Sequence, residues 1–152
     1  MNTTVIGTVA ILIILVGFIF MKKYTEQPTS TSGENAEMNS SFEISPEALV
    51  QKIEKQEDII LLDVRTKDEY ADVHLENAHL LPVQELSQES LAQIGLGNDM
   101  KDAEIIIYCR SGNRSKMAYD TMESLGYTNI KSLTGGMTYW QSRGYSHTEQ
   151  NN

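Results

Sequence analysis

Cysteine is nearly absent from this chain: Cys109 is the only one in 152 residues. That excludes an intramolecular disulfide and any zinc site built on several cysteines, and a lone reactive thiol suits a reducing compartment. Histidine is scarce too. His74, His79 and His147 form no ligand cluster with Cys109 by spacing, so neither a metal nor another cofactor is expected. Basic residues are outnumbered, 12 Lys and Arg against 21 Asp and Glu, which leaves a net charge of -9. A chain this acidic lacks the clustered cationic face that phosphate backbones require, so no nucleic-acid partner is expected. Internal repeats are also missing, and the length suits one ordinary domain with an appendage.

One stretch lacks charge altogether. Residues 5–21, Val5 to Met21, are all apolar or Gly/Thr. At about 1.5 Å per residue this run, extended by Thr3, Thr4 and the snorkelling Lys22 and Lys23, matches a hydrocarbon core of about 30 Å. A cleaved signal peptide needs a basic n-region and a small-x-small site, and neither is found. The expectation is one N-terminal transmembrane helix over 5–21 after a short tail, 1–4. Lys22 and Lys23 on its C-terminal side place the following domain at the cytoplasmic face of the cell membrane. Residues 22–41, rich in Thr, Ser, Glu, Asn and Gln without helical or strand period, read as a flexible polar linker.

The globular part spans 42–146, with a tail over 147–152. Ser45-Pro46-Glu47 is a helix start, followed by Leu49, Val50 and Ile53 on one face. Ile59 to Leu62 is a buried strand ending at Asp63-Val64-Arg65. Thr66-x-x-Glu69 is a capping box opening a short helix through Tyr70 and Val73. Leu80 to Val83 is a short strand closed by Pro82, better suited to a sheet edge than its middle. Leu86 to Leu96 has helical spacing, stopped by Gly95-x-Gly97-Asn98. Ile105-Ile106-Ile107 is the central strand, and Ser115 to Leu125 a helix with Met117, Ala118, Met122 and Leu125 on one face and Gly126 at its end. Asn129 to Leu133 is the last strand, then Gly135-Gly136 and a helix holding Met137 and Trp140. This alternation predicts an α/β domain with a mainly parallel sheet, whose ligand sites lie at the C-terminal ends of strands. Asp63 and Cys109 both fall there.

The chemistry concentrates in Tyr108-Cys109-Arg110-Ser111-Gly112-Asn113-Arg114-Ser115. A cysteine where a strand turns into a helix faces inward-pointing N–H groups of a Gly-containing turn and the free N–H groups of the helix start. Such a cup favours the thiolate. A free thiol titrates near 8.5, and lowering that by about two units, roughly 2.7 kcal/mol, makes it mostly ionised at neutral pH. Arg110 and Arg114 are expected to push the same way. No core position tolerates the polar run after Cys109, so the residue reads as a nucleophile rather than core filler.

Four pieces carry a resemblance: Leu62-Asp63-Val64-Arg65 with Glu69-Tyr70; His74 with Ala78 and Pro82; Cys109 to Ser115; and Leu133 with Gly135-Gly136 and Trp140. In this order and spacing they resemble the rhodanese-like family over about residues 42 to 144. The resemblance implies a five-stranded parallel sheet with helices on both faces, and a sulfurtransferase whose Cys109 takes a sulfane sulfur as a persulfide. The implied partners are a small-molecule or protein sulfur donor, such as thiosulfate or a persulfide, and an external thiol or cyanide as acceptor. Arg110, Ser111, Gly112, Asn113, Arg114 and Ser115 would form the active-site loop, with Arg110 and Arg114 contacting an anionic donor; Arg114 has the alternative of ordering the loop through backbone carbonyls. Asp63 and Arg65 are supporting: Asp63 would accept loop N–H groups and Arg65 would pair with Glu69. His74 is read as making a structural hydrogen bond rather than as a general base. The chain departs from the family where Gly-His-Ile-x-Gly-Ala is usual and Val73-His74-Leu75-Glu76-Asn77-Ala78 stands instead; Asn77 tolerates positive φ and Val73 does not.

Two rivals differ in class. A cysteine-dependent phosphatase or arsenate reductase-like enzyme needs a larger cup, typically Cys-x5-Arg, than the Cys-x4-Arg of Cys109 to Arg114. A non-catalytic membrane-tethered binding module is the other, and the intact cysteine and charged loop count against it.

Overall fold

The computed structural model describes residues 42–149. The expected tail 1–4, membrane segment 5–21 and linker 22–41 all lie outside the described residues. Among those described, no helix is long and apolar enough to cross a membrane.

In chain order the elements are β1 (Glu43–Ile44), α1 (Pro46–Glu54), β2 (Ile60–Asp63), α2 (Lys67–Asp72), β3 (Val73–His74), β4 (His79–Leu80), α3 (Gln88–Gln93), β5 (Ile105–Tyr108), α4 (Asn113–Ser124), β6 (Ile130–Leu133), α5 (Gly136–Ser142) and β7 (Thr148–Glu149). Five strands form one sheet in the order β1-β6-β5-β2-β4, and every pairing is parallel. The sheet is thus parallel throughout, as the α/β alternation predicts. Its fifth strand, β1, has only two residues, too few to show a period.

β5 is central and wholly buried, and its side chains alternate between two cores. Ile105, Ile107 and Cys109 point to one face, where Ala118 and Met122 of α4 and Leu91 of α3 pack. Ile106 and Tyr108 point to the other, against Leu49 of α1 and Met137 and Trp140 of α5. Cys109 therefore continues the two-residue period of β5 onto the face that α4 covers. The chain turns after Cys109 into the same helix, which brings the first turn of α4 over the sulfur.

Several local expectations hold. Ser45 caps α1, accepting from Ala48 N at 3.2 Å, and Thr66 with Glu69 makes a reciprocal capping box on α2. Asn77 takes φ +61 in place of glycine, while Val73 is extended at φ -156 and needs no left-handed turn. His74 Nδ1 lies 2.8 Å from Tyr70 O and its ring stacks on Tyr70, a structural use. Trp140 fills the core and donates to Ser146 O.

Other expectations are corrected. α2 stops before Val73, which opens β3 and pairs with β7, so Thr148 and Glu149 belong to a small antiparallel ribbon rather than to a tail. The helix read from Leu86 begins only after the Ser87 cap, because Val83–Glu85 is a 3-10 turn. Met117 is 60% exposed rather than core. At about 100° per residue it sits beside the stripe formed by Ser115, Ala118 and Met122, not on it.

α5 is pressed onto the end of β5. Met137 N donates to Cys109 O at 2.9 Å and Thr138 N to Arg110 O at 3.0 Å. Contact this close is possible because Gly136, at φ +54, has no side chain; a Cβ there would lie 2.3 Å from Cys109 O and 2.8 Å from Arg110 O. Gly136→Ala is therefore expected to cost about 3 kcal/mol or more in unfolding free energy, from backbone strain plus a clash with main chain that has no rotamer to yield. Urea denaturation checks this, and a loss under 1 kcal/mol refutes the close approach.

Candidate active site

The loop after Cys109 is built by peptide geometry. In a planar trans peptide the C=O of one residue and the N–H of the next point in opposite directions. With the Arg110 carbonyl turned outward onto the Thr138 N–H of α5, the following N–H group, that of Ser111, turns inward to the sulfur. Gly112, at φ +109, then swings the chain into α4 and donates its own N–H to Cys109 Sγ at 3.1 Å. The result is a ring of donors around one sulfur.

Burial pushes the Cys109 thiol up, since only 1% of the residue is exposed. The Ser115 N–H, the Ser115 hydroxyl and the N–H groups of Gly112 and Ser111 outweigh burial and hold the thiol below its ordinary value. Dipoles, rather than the two arginines, are thus the principal cause of thiolate character. More of the sulfur is ionised at neutral pH than in a free thiol.

Arg114 takes neither role expected of it. Its Nη1 and Nη2 donate to Glu69 Oε2 and Oε1 at 2.6 and 2.7 Å, a bidentate pair linking α4 to α2. Arg114 holds the Glu69 carboxyl down at about 2, so the pair stays ionised through the neutral range. Glu69 is therefore not free for Arg65. Arg65 pairs instead with Asp63, its Nε and Nη2 reaching the carboxylate at 2.6 to 3.0 Å, while its backbone N donates to Asp63 Oδ1 at 2.9 Å. Both side chains are buried, and Arg65 Nη2 also donates to Val73 O. Asp63 thus ties β2 to the start of β3 through Arg65 and makes no described hydrogen bond to the 109–115 loop, which corrects the supporting role foreseen for it. Arg110 and Ser111 are exposed, as is Asn113, the first residue of α4.

The sequence reading missed Ser132. On β6 and 2% exposed, its Oγ lies 2.7 Å from Ser115 Oγ. Ser115 Oγ in turn donates to Gly112 O at 2.8 Å and lies 3.7 Å from Cys109 Sγ. A serine inside a strand reads as ordinary filler, and no local signal marks it. The contact between the two hydroxyls ties α4 to β6 and fixes Ser115 Oγ beside the sulfur. Among the described residues no buried side-chain nitrogen or oxygen lacks a partner, and no group of three or more His, Cys, Asp or Glu is placed to hold a metal ion.

The family model for the Rhodanese-like domain matches residues 45–143. A protein named sulfurtransferase from Allochromatium vinosum is 35% identical over 102 residues, covering 67% of this chain and 90% of its own. The putative sulfur carrier protein YrkF of Bacillus subtilis is 33% identical over 114 residues, and this chain spans only 58% of its length. Among solved structures, a rhodanese-related protein from Thermoplasma volcanium superposes with a TM-score of 0.59 at 26% identity, covering 70% of this chain and 97% of that one.

Ser132→Ala is expected to raise the Cys109 pKa through loss of the hydroxyl that holds Ser115 in place, and Ser132→Thr to keep it low. The pH dependence of Cys109 alkylation reads this directly. An unchanged midpoint in Ser132→Ala would remove Ser132 from the site.

Proposed function

The chain belongs to the rhodanese-like domain family, and from that premise we propose that it is a sulfurtransferase in which Cys109 is the catalytic residue and carries the sulfur as a persulfide. The observation that carries this reading is the ring of N–H groups around Cys109 Sγ, with Gly112 N at 3.1 Å. Donors so placed stabilise a thiolate, and equally the negative terminal sulfur of a persulfide held in the same cup.

The chemistry balances without a redox partner. The Cys109 thiolate attacks the outer sulfur of a donor, forming a new S–S bond as the old one breaks, and sulfite leaves if the donor is thiosulfate, or a thiolate if it is a persulfide. An external thiolate, or cyanide, then attacks the outer sulfur of the Cys109 persulfide, and Cys109 leaves as thiolate. With no second cysteine in the chain, the acceptor must come from outside. Arg110, exposed beside the cup, is the cation available to an anionic reactant. Two features argue against a phosphatase or arsenate reductase: the Cys-x4-Arg cup is short for a tetrahedral oxyanion, and Arg114 is engaged by Glu69 rather than free to close over one.

Intact mass of the purified full chain tests the persulfide. Treatment with thiosulfate or a small persulfide is expected to add about 32 Da, removed by cyanide and absent in Cys109→Ser. Failure of both donors to add sulfur refutes the transferase reading and favours a binding module.

The proposal extends to location. Residues 5–21 anchor the domain in the cell membrane, with Lys22 and Lys23 holding it on the cytoplasmic side. The full chain is then expected to sediment with membranes after alkaline carbonate washing, and a chain lacking 5–21 to be released. Release of the full chain refutes the anchor.

A further inference from the structure

Next to the cup lies a depression of about 410 Å³ between α2, β3, α5 and the Cys109 loop. Four ionised side chains line it, and two are already engaged: Arg65 by Asp63, and Glu69 by Arg114. The other two, Asp72 and Arg110, are exposed, and no hydrogen bond or ion pair holds either side chain among the described residues. Asp72 is also poorly placed for its own helix. It is the last residue of α2, where the free carbonyls make the local potential negative, and the last turn of the helix carries no basic residue of its own. A negative charge kept there, facing a depression with an unpaired arginine on another wall, is complementary to a ligand bearing both signs. Thr138 and Gln141 of α5 add neutral donors and acceptors to the same walls.

We propose that this depression binds the ammonium and carboxylate of an amino-acid thiol, with Asp72 taking the ammonium and Arg110 the carboxylate, so that cysteine-like zwitterionic thiols are the acceptors of the sulfur. The inference rests on the persulfide reading for its chemistry, because Arg110 directly follows Cys109 and a ligand held by it presents its thiol to the cup. The bound thiolate attacks the outer sulfur of the Cys109 persulfide; one S–S bond forms, one breaks, and Cys109 departs as thiolate while the amino-acid thiol leaves as its persulfide. The proton lost in forming the attacking thiolate goes to solvent.

The test has two arms on the full chain. Discharge of the Cys109 persulfide is timed with cysteine, with 3-mercaptopropionate, which lacks the ammonium, and with cysteamine, which lacks the carboxylate, all at equal thiolate concentration. Cysteine is expected to be faster than each by about fivefold, the size of one partly exposed ion pair. Asp72→Asn is expected to abolish the advantage over 3-mercaptopropionate and Arg110→Gln the advantage over cysteamine. Equal rates with the three thiols, or variants that slow all three in parallel, overturn the proposal. The second arm needs no sulfur transfer: S-methylcysteine, a zwitterion without a thiol, is expected to shift the amide resonances of Asp72 and Arg110, and this effect is lost in Asp72→Asn. Absence of binding overturns the site even if Cys109 forms a persulfide, and binding without any persulfide sustains the site while sinking the transferase reading.

Discussion

The architecture of this site depends on one close approach, the main chain at Gly136 against the carbonyls of Cys109 and Arg110. Those carbonyls accept from Met137 and Thr138 of α5, which sets the two peptide planes. Because a peptide points its C=O and N–H in opposite directions, turning the Arg110 carbonyl toward α5 turns the Ser111 N–H toward the sulfur. The absent side chain at Gly136 therefore acts on Cys109 without touching Sγ. The central strand completes the arrangement, since the two-residue period that buries Ile105 and Ile107 also aims Cys109 at the face where α4 begins.

Charge plays a different part from the one its proximity suggests. Four charged groups near the cup are consumed in pairs: Asp63–Arg65, buried, joins β2 to β3, and Glu69–Arg114, half-buried, joins α2 to α4. Each pair holds backbone in place, and neither leaves net charge beside the sulfur. Thiolate character arises instead from N–H dipoles and from the Ser115 hydroxyl, itself held by Ser132 on the neighbouring strand. Oriented dipoles suit a reaction in which one negative charge stays on sulfur from thiolate to persulfide, because the environment need not reorganise between the two.

Much of the fold was legible because its signals are local. The Ile105–Ile107 run, the Ser45 and Thr66 caps and the glycine after α4 each act over a few residues, and each appears as read. Misreadings occurred where a pattern was short or a partner distant. β1 and β7 have two residues each, below the length at which alternation is visible. Met117 shares its neighbourhood with core residues yet falls about 100° off their stripe. Arg65 and Glu69 looked like partners because they are four residues apart, but the chain turns into α2 between them and each finds a better-aligned partner, Asp63 at two residues and Arg114 at 45.

The sequence by itself determined the α/β alternation, the cysteine at a strand-to-helix turn and the acidic, single-thiol character of the chain, since these follow from local propensity, periodicity and composition. Only the tertiary structure decided what surrounds the sulfur: which arginine is engaged, that Ser132 on the neighbouring strand reaches Ser115, and that Asp72 and Arg110 line one depression. The physical reason is reach. Caps and turns are satisfied within one helical turn of chain, whereas ion pairs and hydroxyl contacts form between any groups the packed sheet brings within about 3 Å, whatever their separation in sequence.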